Sequence, residues 1–141
     1  MTLLMLLALC ACGQKSVELD TTALAEDLKA LCDENLYQLD GDTASTLYGG
    51  VTAEEMVVWS GGGVLADEVA VFRAADDASA ETLLQAAQQR IADQQTAYAA
   101  YAPDEVSKLD SALVEQHGVY VVVCVSPDSE QARTIVDDYV K

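Results

Sequence analysis

The feature that most constrains the fold is an apolar run near the carboxyl end of the chain, Val119-Tyr-Val-Val-Val-Cys-Val125. A strand with one face in water alternates apolar and polar residues, because successive side chains point to opposite faces of the sheet. This run does not alternate. It therefore predicts a central strand that is covered on both faces.

A first hairpin is predicted upstream of this strand. It pairs residues 56–60 with residues 64–74, and three consecutive glycines at positions 61–63 form its turn. Asp67 and Glu68 interrupt the apolar pattern of the second strand. We therefore expect the beginning of that strand to lie near an edge or rim of the sheet.

A second hairpin pairs residues 112–115 with the apolar run and turns at residues 116–118. Hairpin connections favour antiparallel pairing, so the two hairpins together predict an antiparallel four-stranded sheet.

Three helices are predicted around this sheet. Apolar residues recur at helical spacing over residues 23–36 and over residues 78–100. The last helix is expected to begin with Ser126 as its cap and Pro127 at its first helical position. Residues 39–51 contain several turn signals and read as a loop. The predicted order is thus α-β-β-α-β-β-α, an α+β domain over residues 21–141 with helices packed on the sheet.

The beginning of the chain has the layout of a bacterial secretion signal. Seven apolar residues, 3–9, are followed at once by small residues and a cysteine. The run is too short to span a bilayer. Leu9 lies three positions before Cys12, an arrangement that resembles the lipobox of bacterial lipoproteins. The resemblance implies that residues 1–11 are a signal peptide and that Cys12 becomes lipidated. The alternative is an apolar terminus with incidental cysteines.

The predicted signal departs from the usual pattern because no basic residue precedes its apolar run; the first is Lys15. We expect the natural start to lie a few residues upstream. Residues 12–20 would then be a lipidated tether, and the domain would be exported and held at the outer face of the cytoplasmic membrane.

The charge of the chain limits its partners. It has 24 acidic and 7 basic residues, a net charge of −17. Such a chain repels phosphate backbones and anionic headgroups, which argues against nucleic-acid binding. We therefore expect contact with the membrane to depend on acyl chains, each buried methylene of which contributes about 0.8 kcal/mol.

Four cysteines are present, of which Cys10 leaves with the predicted signal and Cys12 carries the predicted lipid. Cys32 and Cys124 remain. Each follows an apolar pattern and suits a core position. Export would also permit a disulfide between them. The residues do not have the spacing of metal ligands, so no metal site is predicted.

Several short motifs, in their order along the chain, resemble one family. They are Ala66-Asp67-Glu68 in a strand, a Gln-rich helix that ends in Tyr101-Ala102-Pro103, and Gly118-Val119-Tyr120 at a strand entry. These motifs follow the lipobox along the chain, and their order is similar to that found in the small bacterial lipoproteins of the domain-of-unknown-function 4358 family. The resemblance covers residues 21–140. It implies the domain boundaries and the exported, anchored state, and it supplies no catalytic residues.

The sequence predicts no catalytic site and no cofactor. The lone histidine, His117, lies in a predicted turn, and no Gly-x-Ser-x-Gly motif is present. The glycines at 61–63 lack the Gly-Lys-Ser/Thr ending of a phosphate-binding loop. Asp40-Gly41-Asp42 begins like a calcium loop, but the later ligand positions are missing.

Binding is the function that remains. Three aromatic residues, Trp59, Tyr101 and Tyr120, could line a ligand pocket or a partner surface, and Asp67 with Glu68 could form an acidic rim. The leading hypothesis is a non-enzymatic module that binds or scaffolds another envelope component. The alternatives are a small-ligand or cation-binding lipoprotein and an enzyme of unrecognised type.

Overall fold

The computed structural model describes residues 16–33 and 35–141. The predicted signal peptide, residues 1–11, and the predicted lipidation site, Cys12, lie outside the described residues. No helix in the described part of the chain is long and apolar enough to cross a membrane.

The described residues form an α+β fold built on one antiparallel sheet of five strands. Numbered along the chain, the strands lie in the order β1-β2-β3-β5-β4, so that β1 and β4 are the edges. The strands are β1 Tyr37–Gln38, β2 Glu55–Ser60, β3 Glu68–Arg73, β4 Leu113–His117 and β5 Tyr120–Val125.

Five α-helices surround the sheet, and a short 3-10 turn, Pro103–Glu105, precedes the fourth. The longest, α3, has 25 residues and follows the first hairpin. The helices are α1 Thr21–Lys29, α2 Gly41–Leu47, α3 Asp77–Tyr101, α4 Val106–Asp110 and α5 Ser129–Tyr139.

The apolar run forms β5, and all six residues of this strand are buried. Alternate side chains enter two different cores. Val121 and Val123 pack with residues of α3, whereas Val122 and Cys124 pack with residues of α1 and α5. The prediction of an interior strand covered on both faces is therefore confirmed, and the sheet has an α3 face and an α1/α5 face.

Aspartates begin four of the helices. In each case the side chain accepts a hydrogen bond from a backbone N–H of the first turn, which would otherwise have no partner within the helix. These bonds hold the pKa of Asp40 and of Asp76 below the ordinary value. The four capping residues are Asp20, Asp40, Asp76 and Asp128.

The prediction for the last helix was wrong by two residues, since Asp128 rather than Ser126 is its cap and Pro127 precedes the helix.

The predicted strand count and element order were also wrong. The additional strand, β1, has two residues, too few to show an alternating pattern. The predicted loop over residues 39–51 contains α2, whose sequence is poor in helix formers. It forms because Asp40 caps it and because Ala44 and the adjoining Tyr48 are buried in the α3-face core.

Two predicted elements are shorter than expected. The first helix ends at Lys29 rather than at residue 36. Beyond the helix, the Asp33 N–H donates to the Asp67 carboxylate at 3.0 Å. The second strand of the first hairpin begins at Glu68, so that residues 61–67 form a loop. This loop borders the site described below.

Substitution of Phe72 tests whether the α3-face core is closely packed. It is fully buried, and its ring lies 4.9 Å from that of Tyr48 in an edge-on arrangement. We expect Phe72→Ala to lower the free energy of unfolding by about 3–5 kcal/mol, because it leaves a cavity in a closely packed interior. Glu81→Ala, on an exposed position of α3, should change it by less than about 0.5 kcal/mol. Urea unfolding followed by circular dichroism measures both, and equal effects would contradict this assignment.

Candidate functional site: a tyrosine cleft

A cleft of about 330 Å³ lies on the α3 face, between the second half of α3 and the loop that joins β2 to β3. We call it the tyrosine cleft because Tyr37, Tyr98 and Tyr101 all line it. Its other lining residues come from the end of α2, the loop, the start of β3 and α3. They are Leu47, Ser60, Gly62, Gly63, Leu65, Ala66, Glu68, Arg90, Gln94 and Ala97.

Two tyrosines of α3 hold the loop against the helix. The Tyr98 hydroxyl donates to the carbonyl of Leu65 at 2.6 Å, and the Tyr101 hydroxyl donates to the carbonyl of Gly63 at 3.0 Å. The two rings lie 5.0 Å apart. Since loop carbonyls take both hydroxyl protons, the rings present apolar surface toward the cleft.

The third tyrosine, Tyr37, approaches the same loop from β1. A β-carbon at Gly62 would lie 2.4 Å from the Tyr37 hydroxyl oxygen, and Gly62 has a φ of +59°. A side chain at position 62 would therefore meet both a steric clash and backbone strain. The glycines predicted as a simple hairpin turn thus allow close contact between the loop and an aromatic wall.

The floor of the cleft is a buried ion pair. The Glu68 carboxylate accepts hydrogen bonds from Arg90 Nε at 2.7 Å and from Arg90 Nη2 at 2.5 Å. The Tyr48 hydroxyl donates to the same carboxylate at 2.6 Å. The Glu68 side chain is 2% exposed and that of Arg90 is 13% exposed. Three donors therefore compensate a charge that burial alone would destabilise.

The protonation of the partners follows from this geometry. Burial, followed by the negative charge of Glu68, raises the pKa of Tyr48 well above its ordinary value. Burial works to lower the pKa of Arg90, but its hydrogen bonds and its attraction to Glu68 outweigh burial and raise it. Both groups therefore remain protonated donors at neutral pH.

Asp67, the neighbour of Glu68, forms a second internal ion pair. Its buried carboxylate lies 2.6 Å from Lys108 Nζ, and Lys108 also contacts Glu105 at 2.9 Å. Glu105 in turn accepts the Ala66 N–H at 2.8 Å. The expected acidic rim is therefore two buried carboxylates that already have cationic partners within the protein. A metal ion would have to displace Lys108 or Arg90 to reach them.

The other proposed aromatic residues lie on the opposite face of the sheet. Trp59 packs with the α1/α5-face core, and Lys29 Nζ lies 3.6 Å from the centre of its ring. Tyr120 is buried in the same core. Of the five residues proposed from sequence, the structure brings Glu68 and Tyr101 together at the cleft, places Asp67 beside it, and separates Trp59 and Tyr120 from it.

Sequence reasoning missed most of the cleft, including Tyr37, Arg90 and Gln94. It also missed Tyr48, the buried residue that donates to Glu68. One signal was available for Arg90, because it is the only basic residue between positions 74 and 107. Carboxylates are rarely buried without a partner, so a single cation within a long helix of an acidic chain is a candidate partner for a buried carboxylate. Nothing comparable identifies Tyr37, whose strand is too short to recognise.

Four large apolar residues in the described part of the chain are exposed, and three of them line the tyrosine cleft. Tyr37, Leu47 and Tyr101 line it, and Val64 lies in the adjoining loop. Their exposed fractions are 53%, 38%, 56% and 68%, respectively. Apolar side chains grouped around a concavity are typical of a binding surface.

Metal-binding groups do not gather in the same way in the described part of the chain. The described residues contain no group of three His, Cys, Asp or Glu side chains that could hold a metal ion. His117 is part of β4, away from the cleft, with its Nε2 atom 3.1 Å from Glu115.

The sequence profile of the family described as "Domain of unknown function (DUF4358)" matches residues 32–126. The chain belongs to this family. The match begins just after α1 and ends just after β5, so it contains the whole sheet and every residue that lines the tyrosine cleft. No curated protein and no solved structure matches the chain. Family membership was predicted from the sequence and is confirmed, whereas the lipoprotein character stays a prediction.

A double-mutant cycle tests the buried ion pair. We expect Arg90→Met to lower the free energy of unfolding by about 3–5 kcal/mol, because it leaves the Glu68 carboxylate buried beside an apolar side chain. The double variant Glu68→Gln/Arg90→Met should be more stable than Arg90→Met alone, because the uncompensated charge is gone. Chemical denaturation at neutral pH measures these two variants, the single variant Glu68→Gln and the unaltered chain. A double variant less stable than Arg90→Met would contradict the pairing.

Proposed function

We propose that this chain is a bacterial lipoprotein, tethered through Cys12 to the outer face of the cytoplasmic membrane. We further propose that its domain binds another component of the cell envelope at the tyrosine cleft, without catalysing a reaction. The observation on which the binding proposal rests is that three exposed apolar residues, Tyr37, Leu47 and Tyr101, line one cleft.

The sequence supports the anchoring part of the proposal. An apolar run of seven residues, the spacing from Leu9 to Cys12 and the small residue at position 11 all follow the lipobox pattern. The acidic chain supplies little electrostatic attraction to anionic lipid, so acyl chains would provide most of the membrane affinity.

The free energy that exposed tyrosines contribute to interfaces supports the proposed binding at the cleft. Exposed tyrosines bury much apolar area on contact and lose little side-chain entropy, which is why they often dominate interface energies. In the tyrosine cleft, the hydroxyls of exposed Tyr101 and of buried Tyr98 are bonded to the loop that joins β2 to β3, so that α3 holds this loop. A surface ordered before binding pays a smaller entropic cost when a partner arrives.

The chemistry of the partner follows from the same groups. Glu68 and Arg90 neutralise each other in the floor, so the cleft favours an apolar or aromatic side chain over an ion. The net charge of −17 disfavours acidic partners. We therefore propose an uncharged or basic polypeptide segment that inserts apolar side chains between Tyr37 and Tyr101.

A small uncharged ligand is the second candidate, because the volume of about 330 Å³ falls within the range of small-molecule pockets. A thermal-shift screen distinguishes it, since a ligand that binds the folded domain raises its melting temperature. Cation binding has less support, because Lys108 and Arg90 already occupy the carboxylates of Asp67 and Glu68.

Quantitative affinity capture from the membranes of its own host tests the polypeptide proposal. We expect the double variant Tyr37→Ser/Tyr101→Ser to retain about 30-fold less of the partner than the unaltered chain does, because removing central aromatic anchors costs 2 kcal/mol or more. Tyr139→Ser is the matched control, since Tyr139 lies on α5, on the opposite face of the sheet. Equal capture by the cleft variant and the control would contradict a role for the cleft.

Cell fractionation tests the anchor separately. We expect the unaltered chain to sediment with membranes, and Cys12→Ser to appear in the soluble fraction, because the variant has no thiol to accept a lipid. Mass spectrometry of the mature amino terminus identifies the modification. An unmodified Cys12 thiol in membrane-free protein would contradict the lipoprotein proposal.

A further inference from the structure

The two cysteines of the described domain lie together. Cys124 is part of β5 and points into the α1/α5-face core, where it is fully buried. Cys32 lies just beyond the end of α1, half-buried, and packs against the same core. Its Sγ atom lies 3.6 Å from the carbonyl oxygen of Val125, the residue that follows Cys124.

Both side chains therefore pack in one core, beside the carboxyl end of β5. A hydrogen bond from Cys32 lowers the pKa of Cys124 against the effect of burial, and a hydrogen bond from Ser126 adds to this. The pKa of Cys32 is raised by the same contact with Cys124 and by burial. This coupling favours the proton on Cys32, which must lose it before it can attack a disulfide.

We propose that Cys32 and Cys124 are a reversible dithiol–disulfide pair, with Cys32 as the thiol that meets an external disulfide. This assignment rests on the 3.6 Å separation between Cys32 Sγ and the backbone oxygen of the residue after Cys124, on the placement of both thiols on one face of the sheet, and on the greater exposure of Cys32. It does not depend on the proposed function, because it concerns the opposite face of the sheet from the tyrosine cleft.

The reaction is two successive thiol–disulfide exchanges. Cys32 gives up its proton and attacks an external disulfide. The S–S bond of that disulfide breaks, a mixed disulfide forms on Cys32, and one external thiolate leaves. Cys124 then gives up its proton and attacks Cys32 Sγ, which forms the Cys32–Cys124 bond and releases the second external thiolate. The two cysteines are oxidised, and the two protons convert the released thiolates to thiols.

The bond would join the end of α1 to β5. It closes a loop of roughly 90 residues, which restricts the unfolded chain and stabilises the folded state. The disulfide would also restrain the segment between α1 and β1, because Cys32 is five positions before Tyr37.

The test uses the full chain with Cys10→Ser and Cys12→Ser, so that Cys32 and Cys124 are the only thiols. The protein is incubated with oxidised glutathione, either folded or in denaturing urea, and then alkylated and digested with trypsin. We expect the folded protein to lose about 2 Da and to yield peptides 30–73 and 109–133 joined by a disulfide. At the same ratio of oxidised to reduced glutathione, the fraction of denatured chain that contains this disulfide should be at least about tenfold lower. Its melting temperature should rise by roughly 5–15 °C.

Single variants identify the order of the steps. Cys124→Ser should retain glutathione on Cys32 as a stable mixed disulfide, because no second thiol remains to displace it. Cys32→Ser should stay unmodified while folded, because Cys124 is buried. The proposal is overturned if the folded parent protein accumulates glutathione adducts without a Cys32–Cys124 bond, or if it does not react under conditions that link the denatured chain.

Discussion

The buried carboxylate of Glu68 is the interaction on which the α3 face of this protein depends. Glu68 is the first residue of β3, and its side chain binds Arg90 of α3 and Tyr48 at the end of α2. One side chain therefore joins the sheet to two helices. Its removal from water is costly and is offset only while all three donors remain in place. Because the same groups form the floor of the tyrosine cleft, the stability of this face and the shape of the cleft are linked.

The same arrangement explains how an acidic chain uses its few cations. Of seven basic residues, Arg90 and Lys108 are largely withdrawn from the surface to pair with Glu68 and Asp67. Most of the unpaired carboxylates are left facing water, which increases the negative charge that a partner meets. The cleft itself is different, because its floor is neutralised and its walls are aromatic. The acidic surface around this aromatic cleft repels acidic partners.

Sequence patterns predicted the parts of the fold that repeat over many residues. The apolar run that became β5, the glycine turn and the long helix α3 each had a periodic or local signal. The two-residue strand β1 and the cap-dependent helix α2 had none, since their formation depends on tertiary contacts. The cleft was predictable only in part for the same reason. Glu68 and Tyr101 could be proposed from residue type, but their neighbours Tyr37 and Arg90 come from distant segments.

The Arg90 guanidinium group provides the most direct test of this account. Exchange of the Arg90 Nε–H with water can be followed by nuclear magnetic resonance on nitrogen-labelled protein at neutral pH. Since this group donates to the buried Glu68 carboxylate at 2.7 Å, its signal should exchange more slowly than that of Arg133, whose side chain is 60% exposed. Exchange of Arg90 as fast as that of Arg133 would show that the ion pair does not persist in solution, and would contradict its role in holding the α3 face together.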